Sequence, residues 1–397
     1  MLIEILIFLF LGILAGTFTG LAPGIHINLV GAILVSLSAS SLAFIAPLYL
    51  IIFITAMAIT HTFIDFIPSI FLGCSDGGNE LSILPGHEML KEGKGYGAVI
   101  LTATGGLTAI ILTIIFSWPL VEFVKNIYPL IKTAIPFILI FVSLVIILSE
   151  RRKLSSFIVY SLAGILGVII LNLNSLKDPL LPLLTGLFGS ASLIVSIKNK
   201  TKIPRQNFQT EKVPITKPIA GALISSPLCG FLPGLGSGQA AVIGNLVAKT
   251  DRRGFLVLLG ATNIFVMSFS FISLYAISKT RTGAAAAIKE LMGNLSAINL
   301  ILMLGVILIS GIVSFLLVKI LAKYFAKNIN KINYSKLSIF VLIFLLMLVF
   351  FISGWLGVLS FTVSTLTGIY CINTGVKRTN MMACLLLPTI LLYLRVL

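Results

Sequence analysis

Apolar residues run along this chain in blocks too long and too uniform for an amphipathic helix of a soluble fold. The stretches 98–118 and 295–318 are apolar almost throughout. About 20 consecutive apolar residues cross a bilayer as a helix. Polar breaks between the blocks define ten candidate spans. Five lie near 42–72, 98–120, 126–148, 155–173 and 180–197. Five more lie near 253–278, 296–321, 336–351, 353–372 and 378–395. Two apolar segments are left over, near 2–40 and 218–248, and each contains the same break. The first reads Gly20-Leu21-Ala22-Pro23-Gly24 and the second Gly230-Phe231-Leu232-Pro233-Gly234, with the prolines 210 residues apart. A Pro-Gly pair stops a helix. Broken helix at membrane depth is tolerated only where protein buries it or where it lines a wet cavity. Paired breaks in two halves of a chain are the pattern of a transporter's binding site.

Composition agrees with the pattern. Hydrophobic residues make up 58% of the chain, charged residues 10%, and the mean hydropathy is +1.13. The expectation is an all-α polytopic membrane protein, multi-pass in the cell membrane. The N-terminal segment carries Glu4 and no basic region, so we read it as retained rather than as a signal peptide. A net charge of +16 would suit nucleic acid, but the basic residues fall in loops, where membrane topology explains them.

Charge also orders the loops. If both Pro-Gly segments are re-entrant, the loops at 70–97, 149–154, 198–217, 249–253, 319–336 and 377–378 share one side. They hold 21 Lys and Arg, against seven on the other side. The positive-inside rule makes the richer side cytoplasmic and places both termini outside. Each half is then a re-entrant Pro-Gly broken-helix hairpin plus five transmembrane helices. Five is odd, so the halves form two inverted repeats, 1–197 and 218–397, joined by a basic cytoplasmic linker at 198–217. Fully crossing Pro-Gly helices would instead give twelve spans and parallel halves.

Candidate chemistry follows from the breaks. His26 and Asn28 follow the first Pro-Gly, and Ser237 and Gln239 follow the second. A helix restarting there leaves backbone N–H groups unpaired and a positive end that favours an anion. The expected substrate-binding residues are Gly20, Pro23, Gly24, His26, Asn28, Gly230, Pro233, Gly234, Ser237, Gln239 and Arg281. The competing reading is that these Gly and Pro residues only kink packed helices. Asp65 is the one acidic residue well inside a candidate span, with His61 four residues earlier on the same helix face. Intramembrane ionisable groups often mark ion routes, although the two residues could equally satisfy each other. Asp76 and Asn79, in the Gly-rich loop after that span, complete the expected ion-coupling set. No cofactor is expected beyond a coupling Na+ or H+.

Enzymatic constellations are not apparent. The three histidines have no metal-motif spacing, no Walker A sequence is present, and Cys74, Cys229, Cys371 and Cys384 form no CxxC pair. A membrane scaffold would not need duplicated broken helices.

The two Pro-Gly segments, the second extended as GFLPGLGSG, and the stretch LPGHEMLKEGKGYGA at 84–98 together carry a family likeness. The chain resembles the TctA family, the large membrane subunit of tripartite tricarboxylate transporters, over roughly 12–100 and 221–300. The resemblance implies a secondary active permease for a small organic anion, a di- or tricarboxylate, coupled to an H+ or Na+ gradient. It also implies an extracytoplasmic solute-binding protein and a small membrane subunit as partners. A transporter of a polyprenyl-phosphate lipid carrier would use the same helix-end anion site and stays open as the alternative.

Overall fold

A computed structural model describes residues 2–22, 44–73, 81, 83–198, 203–210, 213–231, 236–329 and 334–394. These residues are mostly helical and carry no strand. In chain order the first helices are α1 (Leu2–Leu21), α2 (Pro47–Ile64), α3 (Phe66–Leu72), α4 (Ile83–Lys91), α5 (Gly95–Ile115), α6 (Ser117–Leu148) and α7 (Lys153–Leu171). Next come α8 (Leu180–Leu184), a π-helix (Thr185–Ser190) and α9 (Ala191–Lys198). After the linker follow α10 (Thr216–Phe231), α11 (Ser237–Ala248), α12 (Arg252–Ile277), α13 (Gly283–Met292), α14 (Ala297–Asn328) and α15 (Tyr334–Thr374). A 3-10 turn (Arg378–Met382) and α16 (Ala383–Tyr393) end the described chain.

Seven helices among the described residues are long and apolar enough to span a membrane, with α2 and α3 acting together as Pro47–Leu72. Two of these spans, Pro47–Leu72 and Arg252–Ile277, are buried almost throughout and form the centre. The others expose apolar side chains such as Phe18, Phe157, Ile301, Phe351 and Trp355, as a lipid-facing surface does.

Span boundaries differ from the sequence reading in identifiable ways. The expected 126–148 span is the second part of α6, which begins at Ser117 and carries Pro129 and Pro136 inside it. The expected spans 336–351 and 353–372 form one unbroken run that doubles back on itself. Gly354 sits at φ 64 and ψ −161, in a region that favours glycine. A Cβ on Gly357 would lie 3.3 Å from Val349, eight residues back. A straight helix separates such residues by about 12 Å, so the chain reverses at Gly354. The expected 378–395 span begins as a 3-10 turn before α16.

Small residues decide how the helices pack, since lipid gives apolar side chains no reason to leave it and backbones gain by close approach. On α1, Gly12 lies against Phe53 and Ala56, Gly16 against Met57 and Thr60, and Gly20 against His61 and Ile64. The numbers rise together, so α1 runs parallel to α2. On α5, Gly105 meets Val257 and Ala261, Gly106 meets Ile264, and Thr102 meets Gly260 of α12. That pair is also parallel. The reciprocal contact puts α14 on α2, where Ser314 Oγ donates to Thr60 Oγ1 at 3.0 Å and Val306 packs with Ile52 and Ala56. Each half therefore lends its fifth element to the central helix of the other. By contrast α10 and α11 are antiparallel, with Gly221 against Gly244 and Ala248.

The loops rich in Lys and Arg meet at one end of the bundle. Arg252 pairs with Glu92 at 2.8 Å and Glu88 at 3.3 Å. Lys377 pairs with Glu150 at 3.7 Å, and Arg152 Nη1 donates to the Thr374 carbonyl at 3.1 Å. The non-helical segment 203–210 is fastened at the same end by a buried Gln206. Its Oε1 accepts from the Gly95 N–H at 2.8 Å, and its Nε2 donates to the Leu90 carbonyl at 3.0 Å. Phe208 lies edge-on to Tyr96, with the Lys323 ammonium 5.7 Å from its ring centre.

Candidate functional site

The site is assembled from the ends of helices rather than their middles. In the first half, α1 stops at Leu21 after packing Gly20 against His61 and Ile64. Pro23, Gly24, His26 and Asn28 lie outside the described residues, as do Asp76 and Asn79. Beside the end of α1, His61 Nδ1 shares a 3.0 Å hydrogen bond with Thr19 Oγ1. Both residues are buried. His61 thus reaches across to the Pro-Gly arm.

Asp65 stands where α2 gives way to α3. Its N–H donates to the His61 carbonyl at 2.9 Å, and its own carbonyl accepts from the Ser69 N–H at 3.2 Å. The residue is 8% exposed. Proline at 68 explains the break: it has no N–H to return to the carbonyl of Ile64, so the helix must restart. A buried carboxylate at a broken helix is the arrangement expected of an ion-loading group.

In the second half, Gly230 lies in the last turn of α10, while Pro233 and Gly234 fall outside the described residues. Ser237 opens α11 and is buried, and Gln239 follows in its first turn. Helix α11 presents its positive N-terminal end there.

Arg281 comes from the linker between α12 and α13, and its Nε donates to the Cys229 carbonyl at 2.7 Å. The guanidinium therefore sits one residue from Gly230. Burial pushes its pKa below the usual arginine value, with Cys229 and Tyr393 acting the other way. Arginine stays a cation regardless. Among the described residues no carboxylate lies within ion-pair distance of Arg281. Desolvated and without a counter-ion, it is suited to an incoming anion.

The two groups, His61 with Thr19 and Asp65, and Arg281 with the end of α10, are carried on elements that pack against α2 and α12. Those two central helices touch each other. Several polar residues escaped the sequence reading. Ser270 Oγ and Thr282 Oγ1 are bonded at 2.9 Å, and the Thr282 side chain caps α13 while its N–H donates to Ser270 at 3.0 Å. This fixes the linker that delivers Arg281. Asn263, Ser225 and Ser226 are also buried. Isolated Ser, Thr and Asn are common in apolar helices, so no local pattern marked them.

A family model described as the tripartite tricarboxylate transporter TctA family matches residues 6–383, essentially the whole chain. The chain belongs to the TctA family. An uncharacterized protein of Methanocaldococcus jannaschii is 32% identical over 401 residues, covering 98% of this chain and 99% of the relative. No solved structure matches the chain. TctA membership makes it a multi-pass membrane transport protein and names its kin as the permease of a tripartite system.

Proposed function

We propose that this TctA protein is a secondary active permease for a di- or tricarboxylate, working by alternating access and coupled to an H+ or Na+ gradient. The observation that carries the reading is Arg281, a half-buried cation with no carboxylate partner among the described residues, held on the Cys229 carbonyl where the second Pro-Gly segment begins. A carboxylate there meets a guanidinium fork and the positive end of α11. Glycines at 230 and 234, and their counterparts at 20 and 24, let backbone approach the ligand.

The halves 1–197 and 218–397 act as inverted repeats around the 198–217 linker. The reciprocal packing of α5 on α12 and of α14 on α2 supports this. The antiparallel α10 and α11, 16 and 12 residues long, support a re-entrant hairpin, since neither arm reaches the roughly 20 residues of a full span. The basic end of the bundle is cytoplasmic. Asp65, with His61 beside it, takes the coupling ion, and Asp76 and Asn79 belong to the same set. His26, Asn28, Ser237 and Gln239 orient the anion. An extracytoplasmic binding protein delivers substrate, and a small membrane subunit completes the complex.

The test is uptake of labelled citrate and succinate into proteoliposomes under an imposed proton or sodium gradient, with a polyprenyl phosphate as a separate arm. Gradient-dependent accumulation of a carboxylate, lost in Arg281→Gln, is the expected result. Translocation of the lipid phosphate without carboxylate uptake would overturn the reading.

A further inference from the structure

A second arginine shares the features of Arg281 at the other end of the molecule. Arg378 opens the 3-10 turn before α16 and is mostly shielded from solvent. Its Nη1 donates to Ser192 Oγ at 2.7 Å. Ser192 gives its own proton to the Phe188 carbonyl at 2.5 Å, so its hydroxyl is oriented to accept from the guanidinium. Phe188 lies in the π-helix, an irregularity that often accompanies function.

Glu88, whose charge reaches Arg378, is already held by Arg252 at 3.3 Å. Among the described residues no carboxylate lies within ion-pair distance of Arg378, and one hydrogen bond uses one of its five N–H donors. The buried imidazole of His87 is close enough to feel its charge. A cation set in such surroundings without a counter-ion costs several kcal/mol on the order-of-magnitude scale of buried ions. Among the described residues, the Ser192 hydrogen bond and the more distant charge of Glu88 offset part of that cost.

Position gives the feature its meaning. The turn that carries Arg378 touches α11, the returning arm of the second Pro-Gly pair. The same turn leads through α16 to Tyr393, which is near enough to Arg281 to act on it. Five residues of 3-10 helix and eleven of α-helix add up to about 26 Å of helix between Arg378 and Tyr393. That is close to the thickness of a bilayer core. Arg378 lies at the end where the basic loops gather, and Arg281 lies at the other.

We propose that Arg378, seated on Ser192, is a second anion-binding group that receives a carboxylate of the transported substrate at the basic end of the path. The inference rests on the permease reading above. Arg281 and Arg378 then hold the anion in turn as access alternates, each presenting a fork that matches a carboxylate.

Two measurements test it, both on the full chain in proteoliposomes of known orientation. The first adds phenylglyoxal, which modifies arginine, at the basic end of the wild-type protein and maps the modified residues by mass spectrometry. Saturating citrate should slow modification of Arg378 at least fivefold, and equal rates with and without citrate would overturn the proposal. The second measures citrate affinity from each face. Arg378→Gln should weaken binding from the basic face at least tenfold, and Arg378→Lys should restore part of it because the charge remains. Equal weakening from both faces would make Arg378 a packing residue and sink the idea. If the wild type binds neither citrate nor succinate but binds inorganic phosphate, the carboxylate reading fails. Loss of that phosphate binding in Arg378→Gln would still support the site, and its retention would overturn it.

Discussion

Gly260 offers the sharpest test of how the halves are held together. It lies on α12, where that helix crosses α5. A Cβ at this position would stand 2.6 Å from the Thr102 carbonyl carbon and 2.8 Å from its Cα. Ordinary contact begins near 3.4 Å and the Thr102 carbonyl oxygen stands nearer still, so Gly260→Ala forces α5 and α12 apart by about 1 Å or more. The obstacle is backbone and has no rotamer to yield. Overpacking of this kind costs about 1–3 kcal/mol. A gap of 0.5–1 Å also forfeits roughly a quarter to a half of the dispersion energy of each facing atom pair. Against this stands the intrinsic helix preference for alanine, about 1 kcal/mol. The net expectation is a loss of up to about 2 kcal/mol. Gly305 on α14 is the control, because a Cβ there meets nothing within 4 Å. Gly305→Ala keeps the propensity gain and suffers no clash, so the two variants should differ by about 1–3 kcal/mol, about fivefold or more in the unfolding equilibrium. Cys229, Cys371 and Cys384 are buried free thiols, so a thiol-reactive fluorophore reports unfolding. Gly260→Ala should melt below wild type and Gly305→Ala at or above it. If Gly260→Ala melts with or above Gly305→Ala, the close crossing of α5 and α12 is not what joins the halves.

Four further outcomes are expected. Gln206→Ala should cost about 1–3 kcal/mol by stranding the Gly95 N–H and Leu90 carbonyl, and should speed proteolysis within 198–217; unchanged cleavage would mean that the linker is held otherwise. His87 is pushed down to about 3, first by burial and then by Arg378 and Lys91. Its neutral form belongs to the fold, so its contribution is complete above the ordinary value of 6.5 and is lost as pH falls towards 3. By pH 5 it should remove about 2 kcal/mol, and His87→Gln should flatten that part of the pH dependence. Asp65→Asn should abolish gradient-driven accumulation yet leave exchange across an equilibrated membrane, and full accumulation would make Asp65 structural. A cysteine placed at Arg205 should resist an impermeant thiol reagent added outside sealed cells, and strong labelling would reverse the assigned orientation.

The polytopic helical character and the basic end were readable because they rest on the two strongest signals a membrane sequence carries, length of apolar run and position of Lys and Arg; the number of spans was not, since among the described residues seven helices rather than ten reach span length. Loops such as 88–96 and 203–210 were grouped by charge alone, and Arg252, Gln206 and Phe208 do join them. The two halves of α15 were separable because Gly354 interrupts the apolar run. What escaped was contact between distant segments. His61 read as a partner of Asp65 from its spacing, yet its ring is bonded to Thr19, 42 residues away. Arg378 counted only as a topological charge, since nothing near it in sequence shows that Ser192 lies beside it. The acidic loop and the first Pro-Gly tip, with Asp76, Asn79, His26 and Asn28, remain expectations from sequence.

The packing suggests which parts stay still and which carry the change. Helices α2 and α12 are buried on all sides and each is gripped by the other half, through Thr60 and Ser314 on one and Gly260 and Thr102 on the other. A core locked by backbone contact resists continuous deformation, so movement belongs to elements held more lightly. The arms α10 and α11 both pack along α12, so movement belongs to the last turn of α10, beside Cys229. They touch each other through Gly221 and Gly244, and α10 is further held near its tip by the Arg281 bond to Cys229. An anion that draws Arg281 onto itself weakens that bond. Substrate binding and release of the α10 tip are then one event, and a ligand can shift a conformational equilibrium only through such a difference in contacts. The same logic asks for a cation to receive the anion once the arm has moved, and Arg378 stands where α11 would deliver it.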